Sequence, residues 1–319
     1  MYDAWPGVVK SENMSTQMPA QAHFSEALAT FLERHPGRKL TVSGGHGLHV
    51  IDEGKGRPVV MLHGNPSWSF YYRNLLEELS GDYRVIVPDH IGMGRSEKPV
   101  DSQYEYTLNQ RVADLESALD QLGVTTDITL VVHDWGGMIG STFATRHAER
   151  VSRMVVLNTA GFGLPKAKMF PWPLWLSRNT PVSALFVRGL NGFVKGTAWI
   201  GTTRNKMPAD VKQAYLWPYN SWANRRAVHR FVQDIPLTPK DKTWPVLQQV
   251  EADLPKLVSK PMFIAFGLKV LVFDRHFLKG WTDRFPQAEV VEYADASHYV
   301  LEDVGQELIT RIHSFLDRT

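Results

Sequence analysis

The chain of 319 residues contains no cysteine. Disulfides, cysteine-ligated metal sites and thiol catalysis are therefore excluded, and the redox compartment stays undecided. A long apolar run is also lacking, so we expect no transmembrane helix. No charge of one sign predominates, because positive and negative residues almost balance and leave a net charge of +2. This balance argues against nucleic acid as a partner. Residues 1–21 lack the apolar stretch of a signal peptide, so we expect a disordered tail there and a cytoplasmic protein.

Short β-type runs alternate with helical patterns along most of the chain. Several runs are continuous stretches of Val, Ile and Leu, which is typical of strands covered on both faces. The alternation predicts an α/β fold with a mostly parallel sheet flanked by helices. The predicted strands are residues 39–43, 47–51, 58–62, 84–87, 129–132, 153–157, 262–266 and 289–293, and the predicted helices are residues 69–79, 108–122, 138–147, 246–254 and 305–316.

The alternation stops between residues 162 and 245, where Trp, Phe, Pro and Leu are abundant. This composition predicts short helices with breaks, inserted between strands six and seven. We predict a core made of residues 22–162 and 245–319 and a helical cap made of residues 163–244. Most aromatic side chains of the cap are expected to pack on the core, and its underside is expected to form an apolar pocket.

The most informative motif is Val131-Val132-His133-Asp134-Trp135-Gly136-Gly137. An apolar strand runs into a sharp turn, and the glycines let a helix start close by. This is the form of a nucleophile elbow, which usually carries Ser at its apex. Here the apex is Asp134, and a carboxylate can attack an sp3 carbon or a strained ring to form an ester that a second step must resolve. The alternative interpretation is an acidic N-cap on a helix after a buried strand.

A second motif, His63-Gly64-Asn65-Pro66, comes directly after a predicted strand. An α/β-hydrolase places part of its oxyanion hole on this loop. The backbone N–H groups of Asn65 and Trp135 are therefore candidates for stabilising an oxyanion. Their side chains are also N–H donors, and the pair can hold a leaving halide or another small anion. Taken alone, the motif is equally typical of a simple β-turn.

A third motif, Asp295-Ala296-Ser297-His298-Tyr299, follows the last predicted strand. Asp134 and His298 stand in the order nucleophile, then His, which is the order of α/β-hydrolases. His298 is the candidate that activates water against an ester on Asp134, or that shuttles a proton. Of the other 11 histidines, we assign these to structural roles: His63, His90, His133 and His147.

Together these motifs resemble the haloalkane dehalogenase branch of the α/β-hydrolases, over residues 40–316. Within that branch, residues 215–225, 227–236, 158–160 and 187–191 look most like the cis-β-lactone decarboxylases of bacterial long-chain olefin biosynthesis. The resemblance implies that Asp134 attacks a cis-β-lactone with two alkyl chains, that CO2 leaves and that a cis-olefin is released. It implies a small apolar substrate and no metal or organic cofactor. It also leaves open a contact with a membrane or with enzymes of the pathway.

One position departs from these families. Their strand near residue 266 is followed by Gly-x-Lys/Arg-Asp, in which the Asp orients the catalytic His, whereas this chain reads Gly267-Leu268-Lys269-Val270. Asn158 stands at the alternative acid position after strand six, Asp274 is the tentative substitute, and Asp295 is expected to point away. We therefore treat the triad acid as missing or displaced, and loss of a triad Asp costs on the order of 10⁴-fold in turnover.

Two reactions fit these residues best. One is decarboxylation of a β-lactone, and the other is hydrolytic dehalogenation through an ester on Asp134, with the halide held by Asn65 and Trp135. Dehalogenation depends more heavily on His298, because water must be activated to clear the ester. The missing acid at position 270 therefore favours the lactone as substrate.

Two further interpretations stay open. An epoxide hydrolase would also use Asp134 and would protonate the ring oxygen with cap tyrosines, for which Tyr215 and Tyr219 are candidates. A non-catalytic relative that binds apolar ligands is favoured by Val270 and opposed by the retention of Asp134 and His298.

The candidate residues of the substrate pocket are Phe162, Trp175, Tyr215, Phe231 and Tyr299.

Overall fold

The computed structural model describes residues 25–319, so the predicted tail at residues 1–21 lies outside the described residues. In this part of the chain β2 pairs antiparallel with β1 and β4, and the other neighbouring strands pair in parallel. The order across the sheet is β1-β2-β4-β3-β5-β6-β7-β8. The predicted α/β fold with a mostly parallel sheet is confirmed. The strands are β1 (Arg38–Thr41), β2 (Gly47–Glu53), β3 (Pro58–Leu62), β4 (Arg84–Pro88), β5 (Ile128–Asp134), β6 (Val151–Thr159), β7 (Met262–Gly267) and β8 (Glu289–Tyr293).

Helices cover both faces of this sheet. Four of them, α5 to α8, lie between β6 and β7, in the segment whose composition predicts short helices with breaks. The boundaries between core and cap stay a prediction. The α-helices are α1 (Glu26–Arg34), α2 (Arg73–Leu79), α3 (Leu108–Gln121), α4 (Trp135–Arg146), α5 (Trp172–Asn179), α6 (Gly192–Ile200), α7 (Ala209–Leu216), α8 (Arg226–Gln233), α9 (Trp244–Asp253), α10 (Arg275–Arg284), α11 (Val300–Val304) and α12 (Gln306–Arg318).

The centre of the sheet explains the continuous apolar runs. All seven residues of β5 are buried, because the strand lies between β3 and β6 and is covered on both faces. In a parallel sheet the carboxyl ends of the strands share one edge. The ends of β3, β5, β6 and β7 therefore place Leu62, Asp134, Thr159 and Gly267 along that edge.

Four helices differ from the prediction, and one of them is α11, which the sequence pattern did not predict. Helix α4 begins at Trp135, three residues before the predicted start, because the sharp turn leads straight into the first helical turn. The helices α1 and α10 were not predicted, although each begins after a side chain that caps its first turn, namely Ser25 and Asp274. No helix within residues 25–319 is long and apolar enough to cross a membrane. The expected cytoplasmic location stays a prediction.

Candidate active site

The turn after β5 holds Asp134 in a strained backbone conformation at the carboxyl edge of the sheet. Its φ is 51° and its ψ is −123°, and α4 begins at the next residue. A non-glycine residue at positive φ costs free energy and persists where the surroundings enforce it, often at functional sites. Helix α4 approaches β3 so closely that a Cβ on Gly136 would lie 1.9 Å from the carbonyl oxygen of Leu62. The glycine is therefore required for this elbow.

The carboxylate of Asp134 does not cap the helix. Its side chain makes no hydrogen bond to α4, so the alternative of an acidic N-cap is wrong. Oδ1 accepts the backbone N–H of Asn65 at 2.7 Å, and Oδ2 lies 3.4 Å from Nε2 of His298. Burial disfavours the charged form, but the hydrogen bond and charge of His298 outweigh it and lower the pKa of Asp134. The carboxylate is therefore ionised and suited to nucleophilic attack through Oδ2.

The loop after β3 brings Asn65 against Asp134. A Cβ on Gly64 would lie 2.2 Å from the Cβ of Asp134, so this close approach requires glycine. The backbone N–H of Asn65, predicted for an oxyanion, donates to Asp134 itself and thus marks where the carbonyl oxygen of an Asp134 ester would lie. The amide nitrogen of its side chain donates one hydrogen to the carbonyl of Val228 at 3.1 Å. Its second hydrogen is the one available for an anion in the cavity.

A buried positive charge lies behind the indole of Trp135. The guanidinium of Arg111 lies 5.3 Å from the Trp135 ring and 3.8 Å from the Phe231 ring. Its Nη1 pairs with Oδ2 of Asp234 at 2.6 Å, and both side chains are almost fully buried. A cation this close to an aromatic face attracts the ring's electrons. Because the Asp234 carboxylate neutralises the pair at longer range, the influence of Arg111 on the site is limited to polarising the indole and its N–H.

His298 follows β8, and its ring faces the carboxylate of Asp134. Its backbone carbonyl accepts a hydrogen bond from Nε2 of His133 at 2.9 Å. Burial lowers the pKa of His133 to about 3, so that ring is neutral and carries its proton on Nε2. The predicted structural role of His133 thus includes holding the His298 loop. The Nδ1 of His298 is buried and has no hydrogen-bond partner among the described residues.

The candidate acids do not reach that nitrogen. Asp274, the tentative substitute, accepts the N–H of His276 at the start of α10 and pairs with Lys168 at 2.6 Å, so this assignment is wrong. Asn158 uses both ends of its amide on the backbone of Gly267, at 2.8 Å each. Asp295 points toward Arg204, as expected. Val270, at the expected acid position, lines the cavity.

An apolar cavity of about 810 Å³ opens above Asp134, Asn65 and Trp135. Among the five predicted pocket residues only Phe162 lines it. The prediction is wrong for Trp175, which is half exposed on the outside of the cap. The aromatic lining comes instead from positions that the sequence did not single out, namely Phe170, Trp172, Phe186, Phe193, Phe273 and Phe277.

The other three predicted pocket residues are buried behind the cavity wall. Tyr215 and Tyr299 stack on each other at 5.1 Å, and the Tyr215 hydroxyl donates to Glu302 at 2.6 Å. Phe231 packs edge-on against Trp135. The hydroxyl of Tyr219 donates to the carbonyl of Ser67. Neither Tyr215 nor Tyr219 lines the cavity. This removes the support for an epoxide hydrolase, which would protonate the ring oxygen with these two cap tyrosines.

The loop that carries His298 is bonded to the cap through one buried carboxylate. Asp303 accepts the backbone N–H groups of Thr203, Arg204 and Asn205 in the cap at 2.7–2.8 Å. It also accepts the N–H of Ser297, next to His298, at 2.6 Å. Asp303 was not predicted, since one acidic residue in a short helix carries no distinguishing signal. Arg111 was not predicted either, although a charged residue within the apolar stripe of α3 is a signal for it.

Comparison with known proteins identifies the family of this chain and its relatives. A family model described as alpha/beta hydrolase fold matches residues 57–303. The chain belongs to this family. This α/β-hydrolase is 51% identical to the cis-3-alkyl-4-alkyloxetan-2-one decarboxylase of Shewanella oneidensis, over 88% of the chain and 89% of that protein. It is 48% identical to the decarboxylase of the same name from Xanthomonas campestris pv. campestris, over 88% and 96%.

Haloalkane dehalogenases are more distant relatives of this α/β-hydrolase. The one from Mycobacterium marinum is 33% identical, over 84% of the chain and 88% of that protein. The crystal structure of haloalkane dehalogenase DatA from Agrobacterium tumefaciens superposes with a TM-score of 0.76 at 22% identity, over 88% of this chain and 97% of that one. At this identity the likeness shows the shared fold. The resemblance to this enzymatic branch is confirmed.

Proposed function

We propose that this α/β-hydrolase decarboxylates cis-3,4-dialkyl-β-lactones to cis-olefins and CO2. The observation that carries the proposal is a candidate nucleophile whose neighbouring histidine lacks an orienting acid. Asp134 is ionised and opens on an apolar cavity, whereas Nδ1 of His298 has no partner within the described residues. The names of the two relatives at 51% and 48% identity support the same substrate class.

The reaction balances with Asp134 as the only covalent participant. Oδ2 attacks the ring carbon C4, the C4–O bond breaks, and the former ring oxygen becomes part of a carboxylate on C3. The N–H groups of the Asn65 and Trp135 side chains face this developing anion. The bond from C3 to the carboxylate then breaks, its electron pair forms the C3=C4 double bond, and the C4–O bond to Asp134 breaks. CO2 leaves, and the Asp134 carboxylate is regenerated.

These two steps also account for the cis configuration of the olefin. Attack on C4 from the side opposite the leaving oxygen inverts that carbon, and the fragmentation requires the two departing groups to be antiperiplanar. The two steps together give a cis-olefin from a cis-lactone. No water and no proton is consumed in either step.

This route explains why a site without a triad acid is chemically sufficient. In a hydrolytic reaction His298 must deprotonate water and then carry a positive charge, which an acid at Nδ1 stabilises. In the lactone reaction the ester on Asp134 is cleared by fragmentation, so His298 has no proton to accept. The absent acid therefore affects hydrolysis and not olefin release.

The cavity supports two long alkyl substituents. Ligand pockets typically measure roughly 300–1,000 Å³, and this one, at about 810 Å³ with an aromatic and aliphatic lining, lies toward the upper end. Burial of each methylene contributes roughly 0.8 kcal/mol. A short haloalkane would leave most of this volume without contacts.

Dehalogenation is the second candidate because Asn65 and Trp135 present two N–H donors beside Asp134. A halide can occupy the position that the lactone carboxylate would take. The ester would then need water activated by His298. We expect this reaction to be slow relative to olefin release for the reason given above.

The test is incubation of the protein with a cis-3,4-dialkyl-β-lactone in water enriched in oxygen-18, with products measured by gas chromatography–mass spectrometry. We expect a cis-olefin and CO2, and no β-hydroxy acid carrying oxygen-18. Asp134→Asn should reduce olefin by at least roughly 10³-fold, in line with the loss of a catalytic nucleophile. Asp295→Asn is the matched control, since Asp295 is an exposed carboxylate beside the His298 loop. Olefin formation unchanged in Asp134→Asn would show the nucleophile to be wrong, and labelled β-hydroxy acid as the main product would show hydrolysis.

A further inference from the structure

The cap carries a charge that the balance of the whole chain conceals. Residues 163–244 contain 13 Lys and Arg but only 3 Asp and Glu, a net charge of +10. The remaining residues contain 22 Lys and Arg and 30 Asp and Glu, a net charge of −8. Within an almost neutral protein the cap is therefore strongly basic, and the rest of the chain is acidic.

Part of this positive charge is directed to solvent without a counterion. Four exposed lysines of the cap form no ion pair with any residue of the range 25–319, namely Lys166, Lys195, Lys206 and Lys240. The Lys212 ammonium lies 5.2 Å from the exposed ring of Trp199. These cations are available to an external anion.

The same segment presents most of the exposed apolar surface. Fifteen large apolar side chains are exposed among the described residues, and eleven of them lie between Met169 and Trp222. Three of the remaining four are scattered singly over the core, which is ordinary for a folded protein. A cluster of this size marks a surface that binds another apolar body. It includes the tryptophans Trp172, Trp175, Trp199 and Trp222.

The exposed apolar surface is continuous with the cavity above Asp134. Six side chains both line the cavity and are exposed, and together they form its rim: Trp172, Leu176, Val182, Phe186, Ile200 and Leu271. Trp172, Val182 and Ile200 are each more than 70% exposed. The mouth of the cavity thus opens through the apolar surface and not through the acidic part of the molecule.

We infer that the cap docks on an anionic lipid bilayer, with the rim of the cavity facing the acyl chains. Tryptophan with Lys and Arg is the composition of protein surfaces that lie in the membrane interface. Basic residues near a surface rich in anionic lipid each contribute roughly 1 kcal/mol to binding. The acidic core faces water in this orientation. The inference concerns where the protein binds and does not depend on which reaction Asp134 performs.

A bilayer accounts for the surface better than a protein partner does. Protein interfaces are enriched in aromatic residues and Arg but depleted in Lys, whereas the unpaired cations here are lysines. A second copy of the chain would place two surfaces of high positive charge against each other, which disfavours association. Phosphate groups of lipids neutralise this charge, and acyl chains cover the tryptophans and leucines.

The experiment is flotation of the protein with vesicles of phosphatidylcholine alone and of phosphatidylcholine containing about 30% phosphatidylglycerol, the anionic component that attracts basic residues. We expect binding to the anionic vesicles, weaker binding to the neutral ones, and release as salt rises from about 0.1 to 1 M, where the Debye length falls to about 3 Å. Lys166→Glu with Lys195→Glu should weaken binding at least about tenfold. Lys39→Glu with Lys55→Glu makes the same change of charge on the core and should bind like the parent.

The apolar contribution has its own pair of variants. Leu185→Gln with Leu190→Gln changes two cap side chains that are 62% and 63% exposed and do not line the cavity. This change should also weaken binding about tenfold. Val100→Gln with Val258→Gln, on the core, should not. Circular dichroism and thermal unfolding verify that all four variants are folded.

Three outcomes would overturn the inference. One is absence of binding to anionic vesicles at about 0.1 M salt, where surface charge is screened least. Another is equal loss of binding in the cap variants and the core variants. The third is a parent protein that ignores vesicles but forms dimers that the Leu185→Gln and Leu190→Gln pair dissociates, because the apolar surface would then belong to a second copy.

Discussion

One ring nitrogen of His298 faces Asp134, and the other faces described residues that offer it no carboxylate. Nε2 lies 3.4 Å from Oδ2 of Asp134, and Nδ1 is buried without a partner in the described part of the chain. An acid at that nitrogen normally selects the tautomer and stabilises the imidazolium. Here no acid stands at Nδ1 among the described residues, so the imidazolium that water activation would form lacks this stabilisation.

The first prediction concerns this gap. Val270→Asp should supply a carboxylate where relatives of this branch are expected to carry the triad acid, and should therefore favour water attack on the Asp134 ester. With a cis-β-lactone, we expect the ratio of β-hydroxy acid to olefin to rise at least about tenfold. Halide release from a long-chain haloalkane should rise as well.

The neighbouring Leu271→Asp is the matched control. Leu271 is exposed at the rim of the cavity, so an Asp there adds the same charge out of reach of the His298 ring. It should leave the product ratio as in the parent. An unchanged ratio in Val270→Asp would mean that position 270 is not where the acid belongs.

A second prediction concerns the charge behind Trp135. Arg111→Met with Asp234→Asn removes a buried ion pair together, which avoids leaving either charge alone. The affinity for bromide, measured by quenching of tryptophan fluorescence, should fall roughly fivefold, or about 1 kcal/mol, because Trp135 loses the guanidinium that polarises its ring and N–H. Arg153→Met with Asp127→Asn removes another pair that involves a buried Arg, at the opposite edge of the sheet, and should leave bromide affinity unchanged. Equal affinities in the two double variants would contradict a role for Arg111.

At the level of elements, the His298 loop and the cap form one bonded unit. Asp303 accepts four backbone N–H groups, three from the cap and one from Ser297. Arg73 pairs with both carboxylate oxygens of Glu302, which also accepts the hydroxyl of Tyr215 from α7. Movement of the cap is therefore coupled to the position of His298.

The third prediction follows from that coupling. Asp303→Asn replaces one acceptor oxygen by an NH2 group that faces backbone N–H groups, so it should destabilise the fold by about 2–4 kcal/mol. The hydrolytic activity restored in Val270→Asp should fall further than olefin release does, because only hydrolysis needs His298 in place. Asp241→Asn is the control, since Asp241 accepts backbone N–H groups of Leu237 and Thr238 in the cap without touching the His298 loop. If both activities fell equally in Asp303→Asn, the effect would be on stability alone.

The elements themselves were largely predictable, and the reason is their periodicity. All eight strands overlap the predicted ranges. The inner parallel strands β3, β5, β6 and β7 were predictable because strands covered on both faces require unbroken apolar runs. The elbow and the Asn65 loop were predictable because each follows such a strand, whereas the His298 loop follows the half-exposed edge strand β8 and was predictable from its motif and its place in the chain order.

The pocket was not predictable in the same way. Cap side chains such as Trp175 and Tyr215 belong to short helices whose orientation depends on tertiary contacts. The sequence identifies these aromatics but not the direction in which each points. Phe231 likewise serves Trp135 from behind and does not reach the substrate side.

At the scale of the whole molecule, several histidines are buried in their neutral form. Burial lowers the pKa of His63, His90 and His133, and it lowers the pKa of His229 to about 4. In the unfolded chain these groups titrate near pH 6.5. Between that pH and their folded pKa values the unfolded state binds more protons, so the free energy of unfolding falls as the pH falls. One buried carboxyl opposes this, because burial raises the pKa of Asp114 to about 6.

The fourth prediction is therefore that the protein loses stability on acidification from about pH 6.5 to pH 5. Each fully buried neutral histidine contributes a slope of up to about 1.4 kcal/mol per pH unit. Urea unfolding at several pH values measures this slope, and His229→Gln should flatten it. His313→Gln should do the opposite, because the hydrogen bond of Glu78 raises the pKa of His313 and thus adds stability below pH 6.5 that is lost as the pH rises. A free energy of unfolding that stays level down to pH 5 would mean that these buried rings take up protons in the folded state.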